Sequence, residues 1–332
     1  VAQLVVRRRF RLALLGAVAL GAAVAAVGAP WVEGLEPQPS AYKLLAQALQ
    51  FPEVRLTRTE RTLRARVDEL ETPYLRFAPG LSLKYAGALP ERRLLVRDGD
   101  ELFALPELDD PQALQFARYS HAYAAYELAA AVEGGQGGVD VLVLLQGGGL
   151  SLAAAAAAGA QRVTVLVEPA AVARALRQTR HAAHLRLEVR QGGLRLGLQR
   201  GPGRNPGHLA GYDVVQIEAW GPSVPGIAAL SEEPLLTVEA LQACLEAASP
   251  RGIVSVSRRL LLPPSDCLRL FAAAAEALRR LGTGDPLRHL LALRGWDSYT
   301  LLFSPQPFSA AQVAELRRVC GDVDLVGRRF LE

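Results

Sequence analysis

Residues 139–168 decide how this chain reads: Val139-Asp-Val-Leu-Val-Leu-Leu-Gln-Gly-Gly-Gly-Leu150, an alanine-rich run to Ala158, Gly159, then Val163-Thr-Val-Leu-Val-Glu168. An apolar run meets three glycines (Gly147, Gly148 and Gly149), and a helix-forming run leads to a second apolar run ending in an acid. The order is strand, Gly-rich turn, helix, strand, one βαβ unit. Glycines at such a turn let backbone and ligand approach closely at a helix N-terminus. An acid about 20 residues on, at the tip of the second strand, is placed to accept hydrogen bonds from ribose hydroxyls. The unit therefore predicts a nucleotide or nucleoside site on an open α/β sheet, with Glu168 as the ribose partner.

Downstream the alternation continues. Helices are expected over 169–180, 237–248, 266–281 and 310–320, and strands over 185–189, 212–217, 252–257, 289–294 and 298–303. Strands alternating with helices predict a doubly wound, mostly parallel sheet with a late antiparallel edge. Upstream, a helix is expected over 111–132. Short apolar or alternating runs at 64–67, 81–85, 94–96 and 102–105 are separated by turn signals at Pro73, Pro79-Gly80, Pro90 and Asp98-Gly99-Asp100. They predict a small antiparallel β unit. The resulting division is 1–32, 33–51 (linker and short helix), 52–110 (small β domain) and 111–332 (Rossmann-like domain).

The N-terminus is distinct. Arg7-Arg8-Arg9-Phe10-Arg11 precedes an uncharged apolar run from Leu12 to Ala29, closed by Pro30 and Trp31. Eighteen residues are just enough to span a bilayer, and the run has no polar face to suit a soluble helix. Three readings fit: a single transmembrane anchor, the last span of a multispanning protein, or a cleavable signal with Val27-Gly28-Ala29 as cleavage site and paired arginines of twin-arginine type. Arginines on one flank and Glu33 and Glu36 on the other place the following residues outside the cytoplasm by the positive-inside rule.

Composition narrows the function. Half the 332 residues are apolar and the net charge is only +4. The arginines are scattered, without a basic stripe interleaved with aromatics, so nucleic-acid binding is not expected. Cys244, Cys267 and Cys320 are too far apart for a metal or redox motif and read as small buried residues. His181 and His184 lack further ligands in their vicinity, so no metal site is expected. A nicotinamide site fits poorly, because a Gly-x-Gly-x-x-Gly pattern starting at Gly147 would require glycine where Leu152 stands.

At this point the residues resemble a known family. Pro39-Ser-Ala-Tyr-Lys43, Arg76-Phe-Ala-Pro-Gly-Leu-Ser-Leu-Lys-Tyr85, Arg97-Asp-Gly-Asp100, the 141–168 unit, Tyr212-Asp-Val-Val-Gln216 and Leu230-Ser-Glu-Glu-Pro-Leu-Leu-Thr-Val-Glu239 follow one another as in the spermidine synthases (polyamine aminopropyltransferases), especially the bacterial membrane-attached members. The resemblance covers about residues 39–327. It implies a doubly wound sheet like that of S-adenosylmethionine-dependent methyltransferases, preceded by a small antiparallel β domain and an N-terminal transmembrane or signal helix. It implies S-adenosylmethionine or its decarboxylated form as cofactor, held by Gly147, Gly148, Gly149 and Glu168. Transfer would go to a polyamine-like small molecule. Glu218, at the end of the fourth strand, aligns with the family's active-site Asp, and its carboxylate would bind the attacking amine and take its proton. Asp98, Asp100, Tyr119, His121, Tyr123 and Trp220 are candidates for holding the amine, since acids and aromatic faces attract ammonium groups.

The departures matter as much. Leu145 stands where the family's turn opens with glycine, Ser151 where an acid commonly follows, and Gln191-Gly192-Gly193 where the next strand's acid belongs. Two functions are therefore expected in competition. One is a membrane-attached aminopropyl- or methyltransferase, and the other a catalytically inactive fold serving as a structural or docking subunit of a membrane complex or as a homodimer. Anchoring at the bacterial inner membrane is expected under both. The charge pattern favours the periplasmic side for the folded part and the family chemistry the cytoplasmic side.

Overall fold

Along the strand Asp140–Gln146, consecutive side chains enter two different cores. Val141, Val143 and Leu145 belong to one buried cluster and Leu142 and Leu144 to another. That is period-2 alternation in a strand covered on both faces. The computed structural model describes residues 16–21, 23, 40–63, 65–72, 77–131, 138–198, 209–221, 233–323 and 326–328. Two units emerge, Val1–Ala41 and Tyr42–Glu332.

In the first unit, residues 16–21 are helical and exposed. The rest of the expected span at 12–29, residue 23 apart, lies outside the described residues, as do Pro39, Arg76 and Leu230-Ser-Glu232 of the family-like stretches. Among the described residues no helix is long and apolar enough to cross a membrane.

The second unit begins with α1 (Leu44–Ala48) and a four-stranded antiparallel sheet in the order β1 (Arg55–Arg61), β2 (Arg66–Glu71), β3 (Arg92–Arg97), β4 (Glu101–Pro106). Asp98 and Gly99 both take positive φ in the three-residue turn Asp98–Asp100 that joins the paired residues Arg97 of β3 and Glu101 of β4. One face of this sheet packs with α1 through Leu45, Ala48, Leu70, Leu94, Val96 and Leu102. The other face sends Val67, Leu95, Phe103 and Leu105 into the main core.

The larger sheet has eight strands. Its parallel part is β5 (Asp140–Gln146), β6 (Arg162–Val167), β7 (Arg186–Gln191), β8 (Tyr212–Ala219) and β9 (Ala248–Arg259). Its antiparallel edge is β10 (Leu290–Arg294), β11 (Ser298–Phe303) and β12 (Val326–Arg328). The order is β12-β10-β11-β9-β8-β5-β6-β7, reversing direction of growth between β5 and β8. That reversal is where open α/β sheets hold ligands. The helices are α2 (Ala124–Ala130), α3 (Leu150–Ala157), α4 (Ala170–Gln178), α5 (Leu194–Leu198), α6 (Val238–Ala247), α7 (Ser265–Arg280) and α8 (Ala310–Val323). Thr237 caps α6 by accepting from Ala240 N at 3.3 Å.

Several expectations need correcting. Residues 81–85 form turns, not a strand: Leu81 makes a single bridge to Ser120, and Ser82 N donates to Tyr119 O. That bridge holds Ser120 in an extended conformation, so the helix expected over 111–132 is two 3-10 turns followed by α2. The edge strand β1 has no sequence signal, because Arg-Leu-Thr-Arg-Thr-Glu-Arg carries one large apolar residue in seven; it is held by pairing with β2, which a sequence period does not register. The short elements α5 and β12 likewise have none.

Candidate functional site at the glycine turn

The turn after β5 is held entirely by protein groups. Gly147, Gly148 and Gly149 all have positive φ, 86°, 82° and 126°. Gly148 N donates to Leu102 O at 2.7 Å, and Ala104 N donates to Gly148 O at 2.5 Å. Strand β4 is thus bridged to the turn, parallel, at Phe103 and Gly148. A Cβ on Gly149 would run into the carbonyl of Ala104. The close backbone approach that these glycines permit is made by another strand of the same chain.

Gly149 opens α3, whose alanine-rich sequence favours helix. The first N–H groups of a helix lack intrahelical partners and carry its positive dipole end. Here Glu218 supplies the anion. Its Oε1 accepts from Gly149 N (2.9 Å) and Leu150 N (3.1 Å), and its Oε2 accepts from Ser151 N (3.1 Å) and Ser151 Oγ. Trp220 Nε1 adds a fifth donor to Oε1 at 3.0 Å. Glu218 is 2 % exposed. β8 carries it there in register with Leu145.

Glu168, just past β6, forms an ion pair with Arg97 at 3.2 Å, and the same guanidinium reaches Asp98 and Glu101. Asp98 also accepts from Arg66 N at 2.9 Å, fixing the hairpin turn. Asp100 lines a small cavity beside the turn with Phe77, Glu101, Gly147, Trp220 and Arg259. It offers about 20 Å³, room for a water. Burial raises the Glu101 carboxyl from 4.5 to about 7 against the pull of Arg97, with Glu233, Asp98 and Glu168 adding to the rise. Glu233 is also raised by burial, while bonded to Gln146 Nε2 at 3.1 Å.

The remaining candidates lie apart. Tyr119 packs at a tilt against Tyr85, with ring centroids 5.3 Å apart. Tyr123 lies under the Arg118 guanidinium and beside Tyr126. His121 is buried next to Gly295, and burial lowers it to about 4. None of the three lines the cavity over the turn. Leu145 packs into the main core and does not project into the turn. The structure therefore assembles Gly147, Gly148, Gly149, Glu218 and Trp220 in one place, with Asp100 on the adjoining wall and Glu168 and Asp98 tied through Arg97. Glu101 and Glu233 are not singled out by the sequence: each directly follows another acid (Asp100 and Glu232), and their setting arises only from folding.

An S-adenosyl cofactor fits this turn poorly. The three N–H groups that would face it already hold a carboxylate, Gly148 is bonded on both sides by β4, and Glu168 is paired. Among the described residues, 20 Å³ of adjoining space is far below the roughly 300 Å³ or more typical of a ligand pocket.

No family model and no curated protein matches the chain. Solved structures do. A probable spermidine synthase from Corynebacterium glutamicum is 18% identical, with 83% of this chain and 91% of that one covered and a TM-score of 0.54. A spermidine synthase in complex with the transition-state analogue AdoDATO is 14% identical over 79% and 75%, at 0.42. Human methyltransferase-like protein 13 in complex with SAH is 16% identical over 64% and 90%, at 0.41. The first of these likenesses shows the fold: a Rossmann-like methyltransferase fold with a mixed sheet and a separate antiparallel sheet.

Proposed function

We propose that this chain is a spermidine-synthase-like fold whose cofactor site is closed by its own groups, serving as a structural or docking subunit at a membrane. The observation that carries the reading is the Glu218 carboxylate on the N–H groups of Gly149, Leu150 and Ser151. An internal anion with five donors is a far stronger competitor than water for that helix end. A ligand would have to displace it and leave a buried carboxylate without partners, at a cost of several kcal/mol. The bridge between β4 and Gly148 opposes entry from the other side. Attachment to a membrane through residues 12–29 belongs to the same proposal and rests on the apolar run.

Calorimetric titration of the full chain with S-adenosylmethionine, its decarboxylated form and methylthioadenosine tests the reading. No heat is expected with any of them. Micromolar affinity for one of the three would overturn it.

One observation favours the transferase reading. Glu101, raised to about 7, stands over Gly147 beside Trp220 and Asp100. A carboxyl titrating near neutrality in a cleft is a common property of acid–base residues. Under that reading, aminopropyl or methyl transfer to an amine would be detectable, and Glu101→Gln would abolish it.

A further inference from the structure

The exposed apolar side chains of the folded unit are unevenly spread. Among the described residues of Tyr42–Glu332, eleven large apolar side chains are exposed, and five of them fall in the first 22 residues: Tyr42, Leu49, Phe51, Leu56 and Leu63. Tyr42 is 70 % exposed and Phe51 57 %. Local hydrogen bonds hold the central part together. Leu49 N donates to Leu45 O, Phe51 N to Ala48 O and Val54 N to Phe51 O, so the chain folds back on the end of α1 before entering β1. The inward residues Leu45 and Ala48 are buried against the small sheet. The stretch is therefore apolar on both sides, one inside the fold and one outside it.

The same 22 residues carry Lys43, Arg55, Arg58 and Arg61 against Glu53 and Glu60, a net charge of +2. Glu60 is held by Arg174 through two hydrogen bonds of 2.8 and 3.0 Å and lies 3.7 Å from Arg58. Exposed aromatic and aliphatic side chains in one stretch that also carries arginine and lysine have the chemistry of a bilayer interface. Only twelve residues of sequence separate Tyr42 from Ala29, the end of the apolar run. A chain of that length reaches at most about 40 Å.

We infer that residues 42–63 form a membrane-contacting collar, seated in the headgroup and upper acyl zone of the bilayer. The collar is separate from the glycine turn and rests on the proposed anchor, not on whether the site is closed. It adds interfacial burial of Tyr42, Leu49 and Phe51 to the hold of the apolar run, and it limits how the folded unit tilts over the surface. Exposed apolar groups there are explained without a protein partner.

Tryptophan substitution reads this directly. The full chain, as Phe51→Trp or Leu49→Trp in a Trp31→Phe background, is reconstituted in phosphatidylcholine–phosphatidylglycerol vesicles with acyl chains brominated near the headgroup. Leu281→Trp, at the end of α7, is the control. The emission added by the Phe51→Trp and Leu49→Trp substitutions is expected to fall at least twofold, and that of the control by less than a tenth. Unquenched emission at both collar positions, or a chain that stays out of the vesicle fraction, would overturn the inference. So would a Phe51→Cys chain that cross-links to itself in proportion to the protein-to-lipid ratio, because a second copy would then cover the patch.

Discussion

The carboxylate of Glu218 and the backbone N–H of Gly149 lie 2.9 Å apart, although 69 positions separate them in sequence. One acid from the end of β8 satisfies the helix end that β5 and its glycines create. This relationship links the fold to the proposed function. The groups that would recognise a ligand's anion are the groups that stabilise the chain.

Removing that carboxylate should therefore be costly. In Glu218→Ala, three backbone N–H groups, the Trp220 indole N–H and the Ser151 hydroxyl lose their acceptor, at about 1–3 kcal/mol each before relaxation. A net loss of about 3–5 kcal/mol is expected from the shift in denaturant midpoint. A loss below about 1 kcal/mol would mean that the hydrogen bonds contribute little to the fold.

The glycines should separate by role. Gly149→Ala places a Cβ against the Ala104 carbonyl at φ 126°, a conformation L-residues rarely adopt. It should destabilise by more than about 3 kcal/mol and part β4 from the turn. Gly159→Ala also has positive φ, 73°, but meets open space. It should cost only about 1–2 kcal/mol. Equal losses, measured by thermal unfolding, would contradict a steric role for β4.

The Glu101 carboxyl gives stability a pH dependence of defined sign. Its folded-state value of about 7 lies above the ordinary 4.5. The folded chain therefore holds this proton more tightly than the unfolded one. The contribution is complete below pH 4.5 and is lost as pH rises to 7, amounting to at most about 3 kcal/mol. Glu101→Gln should be more stable than the parent at about pH 8 and nearly equal to it at about pH 4. A variant less stable at the alkaline end would show that the charge is favourable where it sits.

His121 acts in the opposite sense. Burial lowers it from 6.5 to about 4, and its Nδ1 has no partner among the described residues. Its contribution is present above pH 6.5 and is lost as pH falls to 4, again by at most about 3 kcal/mol. An NMR titration should find its ring neutral from about pH 8 to about pH 5. His121→Gln should flatten the acid limb of the stability curve; an unchanged limb would place the acid sensitivity elsewhere.

Much of the fold is legible in the sequence. The doubly wound sheet is readable because β5, β6, β8 and β9 carry apolar runs separated by helix-forming stretches, alanine-rich in α3 and capped by Thr237 in α6. Errors fall where local pattern is weak. β1 is polar and held by its neighbour, and the helix expected over 111–132 is interrupted by the Leu81–Ser120 bridge. At the site, residue types are legible but their partners are not. Gly147, Gly148, Gly149 and Glu218 stand out as ligand-binding groups, and folding brings them onto one another.

The sequence by itself determined the alternation of strands and longer helices from β5 to α8, the turn that needs positive φ, and the acids at the strand ends. These follow from periodicity and from the conformational freedom of glycine, which are local properties. Only the tertiary structure decided that β4 fills the approach to Gly148 and that Glu218 turns inward to cap α3. Both contacts join segments tens of residues apart. Their energies come from desolvation and hydrogen-bond geometry that exist only once those segments are packed together.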